Sequence, residues 1–435
     1  MQKNEEKGEK ASGFDGLGID SRILSILTKN GITEPTLIQR KSIPPAIKGH
    51  DLMGVAQTGT GKTFAFGIPL IQNILSSRGR ALVLLPTREL ANQVEENLKK
   101  IAWGLGIKTI SIIGGEAFNR QLFSLKRNPN IIVATPGRLL DHLRRKTIRL
   151  DDISFLVLDE ADMMFDMGFA PQIEELIKLT PKTRQTLLFS ATMPAAIIKL
   201  AEKYLKTPLQ IQVAPSGSTV DLIDQEIYLI RSEEKFKNLI KILGDYRKLV
   251  LIFVRTRYGA SSLCKRLNDN GYRSVEIHSN LSFNQRKKSL QDFKDASSRI
   301  MVATDVAARG LDINDIQLVL NYDLPDNSED YVHRIGRTAR AGKGGKAITF
   351  SLSNQIRQIQ KIERLIKKNL PIRRMGSDEV LINRANKKGG NNSNNSGSRG
   401  GGNSVRSNSN NRGNNKKFFT RKPKGRSGNF NRRRG

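Results

Sequence analysis

The chain holds one cysteine, Cys264, and one tryptophan in 435 residues, so neither a disulfide framework nor a cysteine-built zinc site can form within it. Cys264 falls in a helical pattern beside Leu263 and Leu267 and reads as a core thiol. No stretch approaches the ~18 consecutive apolar residues that a membrane-spanning helix requires. The amino terminus, MQKNEEKGEK, offers no apolar run, and its acids argue against a transit peptide. A soluble protein of a reducing compartment, the cytoplasm, is therefore expected. Acid is the other shortage. Forty-one Asp and Glu face 73 Lys and Arg, a formal net charge of +32, and no acidic residue follows Glu379. Residues 384 to 435 alone hold fifteen Lys or Arg. A surplus of that size predicts a polyanionic partner.

What the chain does have is α/β patterning. Between Phe14 and Gln212, strands are expected at residues 52–56, 81–85, 131–135, 155–159 and 186–190, with amphipathic helices between them. One such helix, 89–101, carries Leu90, Val94, Leu98 and Ile101 on one face. Apolar strands separated by such helices imply a parallel sheet covered on both sides. Around Ala214-Pro215-Ser216-Gly217-Ser218 the pattern breaks into turn-forming residues, which marks a linker over 213–222. The alternation then resumes, with strands expected at 226–230, 250–254, 274–278, 300–304, 317–322 and 347–350, so a second α/β domain is placed at 223–372. Residues 373–435 become rich in Gly, Asn, Ser and Arg and have almost nothing to bury; disorder is expected there, and flexibility at 1–13.

Two segments carry chemistry. Residues 56–63 read AQTGTGKT after the apolar Leu52-Met53-Gly54-Val55. Gly59 and Gly61 let backbone N–H groups close around phosphate oxygens at a helix N-terminus, Lys62 meets the outer phosphates, and the Thr63 hydroxyl meets a magnesium ion. Residues 159–162 read DEAD directly after Phe155-Leu156-Val157-Leu158, putting Asp159 and Glu160 at the carboxyl end of a buried strand. There one carboxylate can hold metal while its neighbour activates water. Each segment alone has a bland alternative: Ala56 stands where the strict loop has glycine, and an acidic pair after a strand is usually a solvated terminus. In this order and spacing they indicate NTP hydrolysis.

Eight further segments accompany them: GITEPTLIQ (31–39), PTRELA (86–91), GG (114 and 115), TPGR (135–138), SAT (190–192), LIFVRT (251–256), ATDVAARGLD (303–312) and HRIGRTAR (333–340). With these the chain closely resembles the DEAD-box ATP-dependent RNA helicases over about residues 14–350, and its NYDLP and EDYVHRIGRTARAG stretches most resemble the bacterial RhlE-like members. The resemblance implies two tandem RecA-like domains, ATP and Mg2+ as cofactors, and RNA-stimulated ATP hydrolysis coupled to local unwinding of short duplexes. It assigns Thr58, Thr60 and Asp312 to the nucleotide beside Gly59, Gly61, Lys62 and Thr63, and Asp159 with Thr63 to the metal. Gln39 has a planar carboxamide suited to the donor and acceptor edge of adenine, and Phe14 has a ring that could stack on the base. In isolation they read as a surface amide and a core aromatic.

Arg337 and Arg340 lie three apart after a helical pattern, and the arginine fork suits a phosphoryl group in transfer. The resemblance gives both to the γ-phosphate, reached from the second domain, and makes Ser190, Thr192 and His333 the coupling between sites. For RNA it implies Thr87, Arg88, Gly115, Thr135 and Arg138 in the first domain and Thr256 and Thr304 in the second. These residue types hold phosphate and ribose rather than read base edges, so sequence-independent binding follows. His278-Ser279-Asn280 departs from the family's usual His-Gly-Asp. A monomer is expected, with partners in ribosome assembly or RNA decay. Two other classes remain: an RNA clamp whose ATPase only times release, against which Lys62, Glu160, Arg337 and Arg340 argue, and a DNA-directed motor, against which GITEPTLIQ and PTRELA argue. The basic tail reads as a solvated end or as an RNA-binding arm with Phe418, Phe419 and Phe430 for stacking; the arm is favoured.

Overall fold

In a computed structural model, residues 13–56, 59–77, 79–213, 223–308, 313, 315–339 and 344–374 are described. The expected flexible N-terminus apart from Gly13, nearly all of the linker, and the basic tail from residue 375 therefore lie outside the described residues, as do Thr58, Asp312 and Arg340 of the expected site; Arg373 and Arg374, expected in the disordered tail, instead belong to a strand, Ile372–Arg374.

The first sheet comprises β1 (Leu52–Val55), β2 (Arg80–Leu84), β3 (Thr109–Ile112), β4 (Ile131–Ala134), β5 (Ile153–Leu158), β6 (Gln185–Ser190) and β7 (Leu209–Gln212). All of its pairs are parallel, in the order β3-β4-β2-β5-β6-β1-β7. The second sheet comprises β8 (Ile223–Leu229), β9 (Leu249–Phe253), β10 (Ser274–Ile277), β11 (Ile300–Ala303), β12 (Ile316–Asn321), β13 (Gly345–Ser351) and β14 (Ile372–Arg374), also parallel, in the order β10-β11-β9-β12-β13-β8-β14. These are the two tandem RecA-like domains that the sequence implies.

Burial on both faces explains why the central strands read as continuous apolar runs. Val83, Phe155, Val157 and Phe189 join one core cluster, while their neighbours Leu82, Leu84, Leu156, Leu158 and Leu188 join the cluster on the other side. In the second sheet Val250, Ile252 and Val302 face one cluster, and Leu251, Phe253 and Met301 another. Every strand expected from the sequence forms, shifted by up to three residues at its ends. The strands not anticipated are β3, β7 and β14, all at sheet margins. β3 reads Thr-Ile-Ser-Ile and buries only Ile110 and Ile112, and β7 buries Ile211 alone, so neither presents the unbroken apolar run that marks the central strands.

Strand order, not chain order, builds the site. β6 lies between β1 and β5, with Val55 opposite Ser190, so the loop after β1 and the acidic end of β5 open beside each other at the carboxyl edge of the sheet.

Candidate nucleotide site and nucleic-acid interface

After β1 the chain turns through Gly59 (φ 86°) and Gly61 (φ 92°), backbone that an L side chain rarely adopts, and enters the helix Lys62–Ser76. A Cβ on Gly61 would also collide with the Gln39 amide. Lys62 and Thr63 thus occupy the first helical turn, where exposed N–H groups favour anions. The Lys62 side chain is buried, and its Nζ donates to Glu160 Oε1 at 2.7 Å and lies 3.9 Å from Asp159 Oδ1. Burial alone would push the Lys62 pKa down, but the Glu160 and Asp159 carboxylates outweigh it and raise it. Burial, reinforced by the charge of Glu160, pushes Asp159 up to about 7 despite the nearby ammonium. A carboxylate so held gains strongly from added positive charge. Asp159 and the Thr63 hydroxyl are hard oxygen donors of the kind magnesium takes, so the residues fit that ion. Among the described residues no group of three or more His, Cys, Asp or Glu could cage a metal.

Glu160 adopts φ 53°, ψ 49°, a left-handed backbone that is costly for glutamate and common at functional sites. Its N–H donates to Asp159 Oδ1 at 2.9 Å. Asp162 joins Ser190 and Thr192, the first-domain residues expected to couple the sites. The Thr192 N–H and hydroxyl both donate to Asp162 Oδ2, at 2.9 and 3.0 Å, and the Asp162 N–H donates to Ser190 Oγ at 3.1 Å. Sequence reasoning omitted Asp162, although it is the last letter of the same acidic segment.

Gln39 is buried and already engaged: its Oε1 accepts from Thr36 N–H at 2.9 Å and its Nε2 donates to Gly61 O at 3.0 Å. It therefore ties the segment 31–39 to the phosphate loop, with one N–H and one lone pair left over. Phe14 is 5% exposed and packs in the first-domain core.

Arg337 is buried in the second domain, its Nε donating to His333 O at 3.3 Å. It lines a cavity of about 490 Å3 with residues such as Asp224, Lys248 and Gln317, and no described first-domain residue shares that cavity.

Of the expected RNA residues, those of the first domain lie close together. Thr87, Thr135 and Thr256 follow β2, β4 and β9 and each caps a helix, Arg88–Ala102, Pro136–Arg144 and Arg257–Asp269; Thr87 Oγ1 accepts from Leu90 N–H and Thr256 Oγ1 from Gly259 N–H. Thr304 follows β11, and its carbonyl accepts from Ala307 and Ala308 N–H. Helix N-termini at strand carboxyl ends are natural phosphate sites. Thr87, Arg88, Thr135 and Arg138 line a cavity of about 400 Å3 together with Ser279, Leu281 and Arg286 of the second domain. Gly115 (φ 80°) packs against the Arg88 guanidinium, where a Cβ would clash.

Two residues of this region were not anticipated. Arg286 Nη2 donates to Glu89 Oε2 at 3.0 Å across the domains, both side chains being largely buried, and burial lowers the Arg286 pKa. Phe283 packs against the first-domain core. At the departure from His-Gly-Asp, His278 is buried against Ser261 Oγ (3.0 Å), and Asn280 Oδ1 accepts from Arg257 Nη1 at 2.9 Å. Ser279 is left on the cavity wall.

Comparison with known proteins identifies the family. The family models "DEAD/DEAH box helicase" and "Helicase conserved C-terminal domain" match residues 36–200 and 234–342. The chain is 44% identical over 360 residues to the ATP-dependent RNA helicase CshA of Listeria monocytogenes, covering 82% of this chain and 69% of that one. It is 43% identical to the DEAD-box ATP-dependent RNA helicase CshA of Bacillus subtilis, covering 82% and 73%. Both relatives are named CshA rather than RhlE. Among solved structures it resembles S. cerevisiae Dbp5 bound to RNA and ADP BeF3, with a TM-score of 0.76 at 30% identity over 84% of this chain and 96% of that one. It also resembles Mss116p bound to ssRNA and AMP-PNP, with a TM-score of 0.78 at 30% identity over 86% and 82%.

Proposed function

The chain belongs to the DEAD-box ATP-dependent RNA helicases, and from that premise we propose how its own residues divide the work. The observation that carries the proposal is the buried Lys62–Glu160 pair, 2.7 Å long, at the mouth of the glycine loop. Before nucleotide arrives, Lys62 neutralises the carboxylate that must later act as base. Incoming phosphates compete for Lys62 and draw it off Glu160. The base is thereby released only when there is something to hydrolyse. Glu160 then orients water and accepts its proton, while Lys62 and the N–H groups around Gly59, Thr60 and Gly61 hold the phosphoryl oxygens. Thr63 and Asp159 would hold Mg2+, which when bound neutralises charge on the outer phosphates.

Gln39 and Phe14 hold the adenine side, Gln39 doing so through the same amide that braces Gly61, so that base recognition and loop shape are joined. Arg337 and Arg340 act on the γ-phosphate once the second domain brings them in, with Asp312 of the same domain beside the nucleotide. Asp162, Ser190, Thr192 and His333 relay that closure. The single strand lies along Thr87, Arg88, Gly115, Thr135 and Arg138, and Thr256 and Thr304, held by phosphate and ribose without strong sequence preference. The protein is proposed to act as a cytoplasmic monomer alongside factors of ribosome assembly or RNA decay, and its tail as a basic RNA-binding arm. ATPase measured with RNA, with DNA and without polymer, in wild type and Lys62→Ala, tests the site: stimulation by RNA alone, lost in the variant, is expected, and full activity of Lys62→Ala would sink the assignment.

A further inference from the structure

Gln121 belongs to none of the motifs, yet it is only 2% exposed and its whole amide is used. It lies on the helix Phe118–Leu125. Its Nε2 donates to Ile113 O at 2.8 Å and meets Glu116 Oε2 at 3.3 Å, so it grips the turn on either side of Gly114 and Gly115. Its Oε1 accepts from Arg138 Nε at 3.0 Å and lies 3.1 Å from His142 Nε2. The opposite orientation of the amide would set NH2 against the Arg138 N–H, donor to donor, so the oxygen belongs on that side.

The surroundings fix the rest. Burial holds the His142 pKa down at about 4, so the ring is neutral near pH 7. Because Gln121 Oε1 can only accept, the proton sits on Nε2, and Nδ1 lies 2.9 Å from Thr147 Oγ1, whose hydroxyl is also within reach of the His142 carbonyl. Phe118 lies flat on the imidazole, with ring centroids 4.2 Å apart, and the Arg145 guanidinium covers Phe118 at 4.4 Å. Arg138 is held a second time, its Nη2 donating to Glu116 O. Two of its five N–H groups are thus spent on orientation, and three remain for a ligand in the cavity that it lines with Thr87, Arg88 and Thr135.

We propose that Gln121 is a positioning residue for RNA binding, which sets Arg138 in the geometry that receives one phosphate. A clamped arginine gives up little rotamer freedom on binding, whereas a free one must be ordered by the ligand. The inference rests on Arg138 meeting RNA, as proposed above.

The test uses full-length Gln121→Met, Arg138→Ala and the double variant. It reads the RNA concentration for half-maximal ATPase, the rate at saturating RNA, the KM for ATP and the melting temperature. Gln121→Met is expected to raise the RNA concentration about tenfold, the scale of one hydrogen bond to a charged group. The saturated rate and the KM for ATP should stay unchanged. In the double variant the RNA requirement should equal that of Arg138→Ala alone, because a residue acting through Arg138 has nothing left to position. Additive losses would overturn the inference, since they describe a merely structural amide. Should Gln121→Met fail to fold, Gln121→Glu is read in the same cycle with Arg138→Ala, and additive losses there would equally overturn it. If Arg138→Ala leaves the RNA requirement unchanged, the RNA contact itself is wrong; if Arg138→Ala weakens RNA binding and Gln121→Met does not, only the positioning role fails.

Discussion

Replacing Glu160 by glutamine separates nucleotide binding from hydrolysis, and the structure sets the size of both effects. In the wild type ATP must break a buried pair, Lys62 Nζ to Glu160 Oε1 at 2.7 Å, before Lys62 can serve the phosphates. A hydrogen bond to a charged group contributes about 1.5–3 kcal/mol, and a neutral acceptor recovers roughly half of that. The substituted amide would still accept from Lys62 but bind it more weakly by about 0.7–1.5 kcal/mol, and the difference is returned to the nucleotide. Glu160→Gln should therefore bind ATP roughly three- to twelvefold more tightly. Its RNA-stimulated turnover should fall by at least ~10², because an amide cannot take the proton from water. The left-handed backbone at this position is no more costly for glutamine, so the fold is unaffected. Fluorescent-nucleotide titration and phosphate release, each at saturating RNA, read the two effects. Weaker nucleotide binding in the variant would refute the idea that Lys62 is shared between base and substrate, and undiminished turnover would remove Glu160 from the chemistry.

Further expectations concern the same carboxylate cluster, the domain contact and the tail. Asp159 has a folded pKa of about 7, well above its unfolded value, so the stability it contributes is full below about pH 4 and lost as pH rises to 7. Nucleotide-free Asp159→Asn should lack that decline, and thermal melts of both proteins across the range check the sign. Arg286→Ala leaves Glu89 buried without its partner, so RNA-stimulated ATPase should fall about tenfold or more while ATP still binds; a double-mutant cycle with Glu89→Ala must then show coupling, and additive effects would exclude the pair. Removing residues 389–435 deletes twelve Lys or Arg and no acid. If three or four of them meet phosphate at once, the slope of log affinity against log salt becomes shallower by roughly 2–3 units, with the saturated rate unchanged. Superimposable salt titrations would make the tail a bystander.

The sequence by itself determined what depends on neighbours in the chain. Glycines at 59 and 61, a lysine and threonine at 62 and 63, and paired acids after an apolar strand are legible because phosphate loops and strand ends are built from consecutive residues. Central strands were legible because burial on both faces demands unbroken apolar runs, whereas β3 and β7, at sheet margins and with their apolar residues alternating, carry a weaker pattern. Tertiary structure decided the rest. The meeting of Lys62 with Glu160, 98 residues on, follows from β6 inserting between β1 and β5, an order that no local pattern states. Asp162 found Thr192 by the same insertion, and Glu89 found Arg286 only through the approach of two domains. Gln121 is the clearest case. A glutamine on a helix is an ordinary surface residue until packing removes its water, and then each of its polar atoms must find a partner, which here are the turn and the arginine beside the cavity.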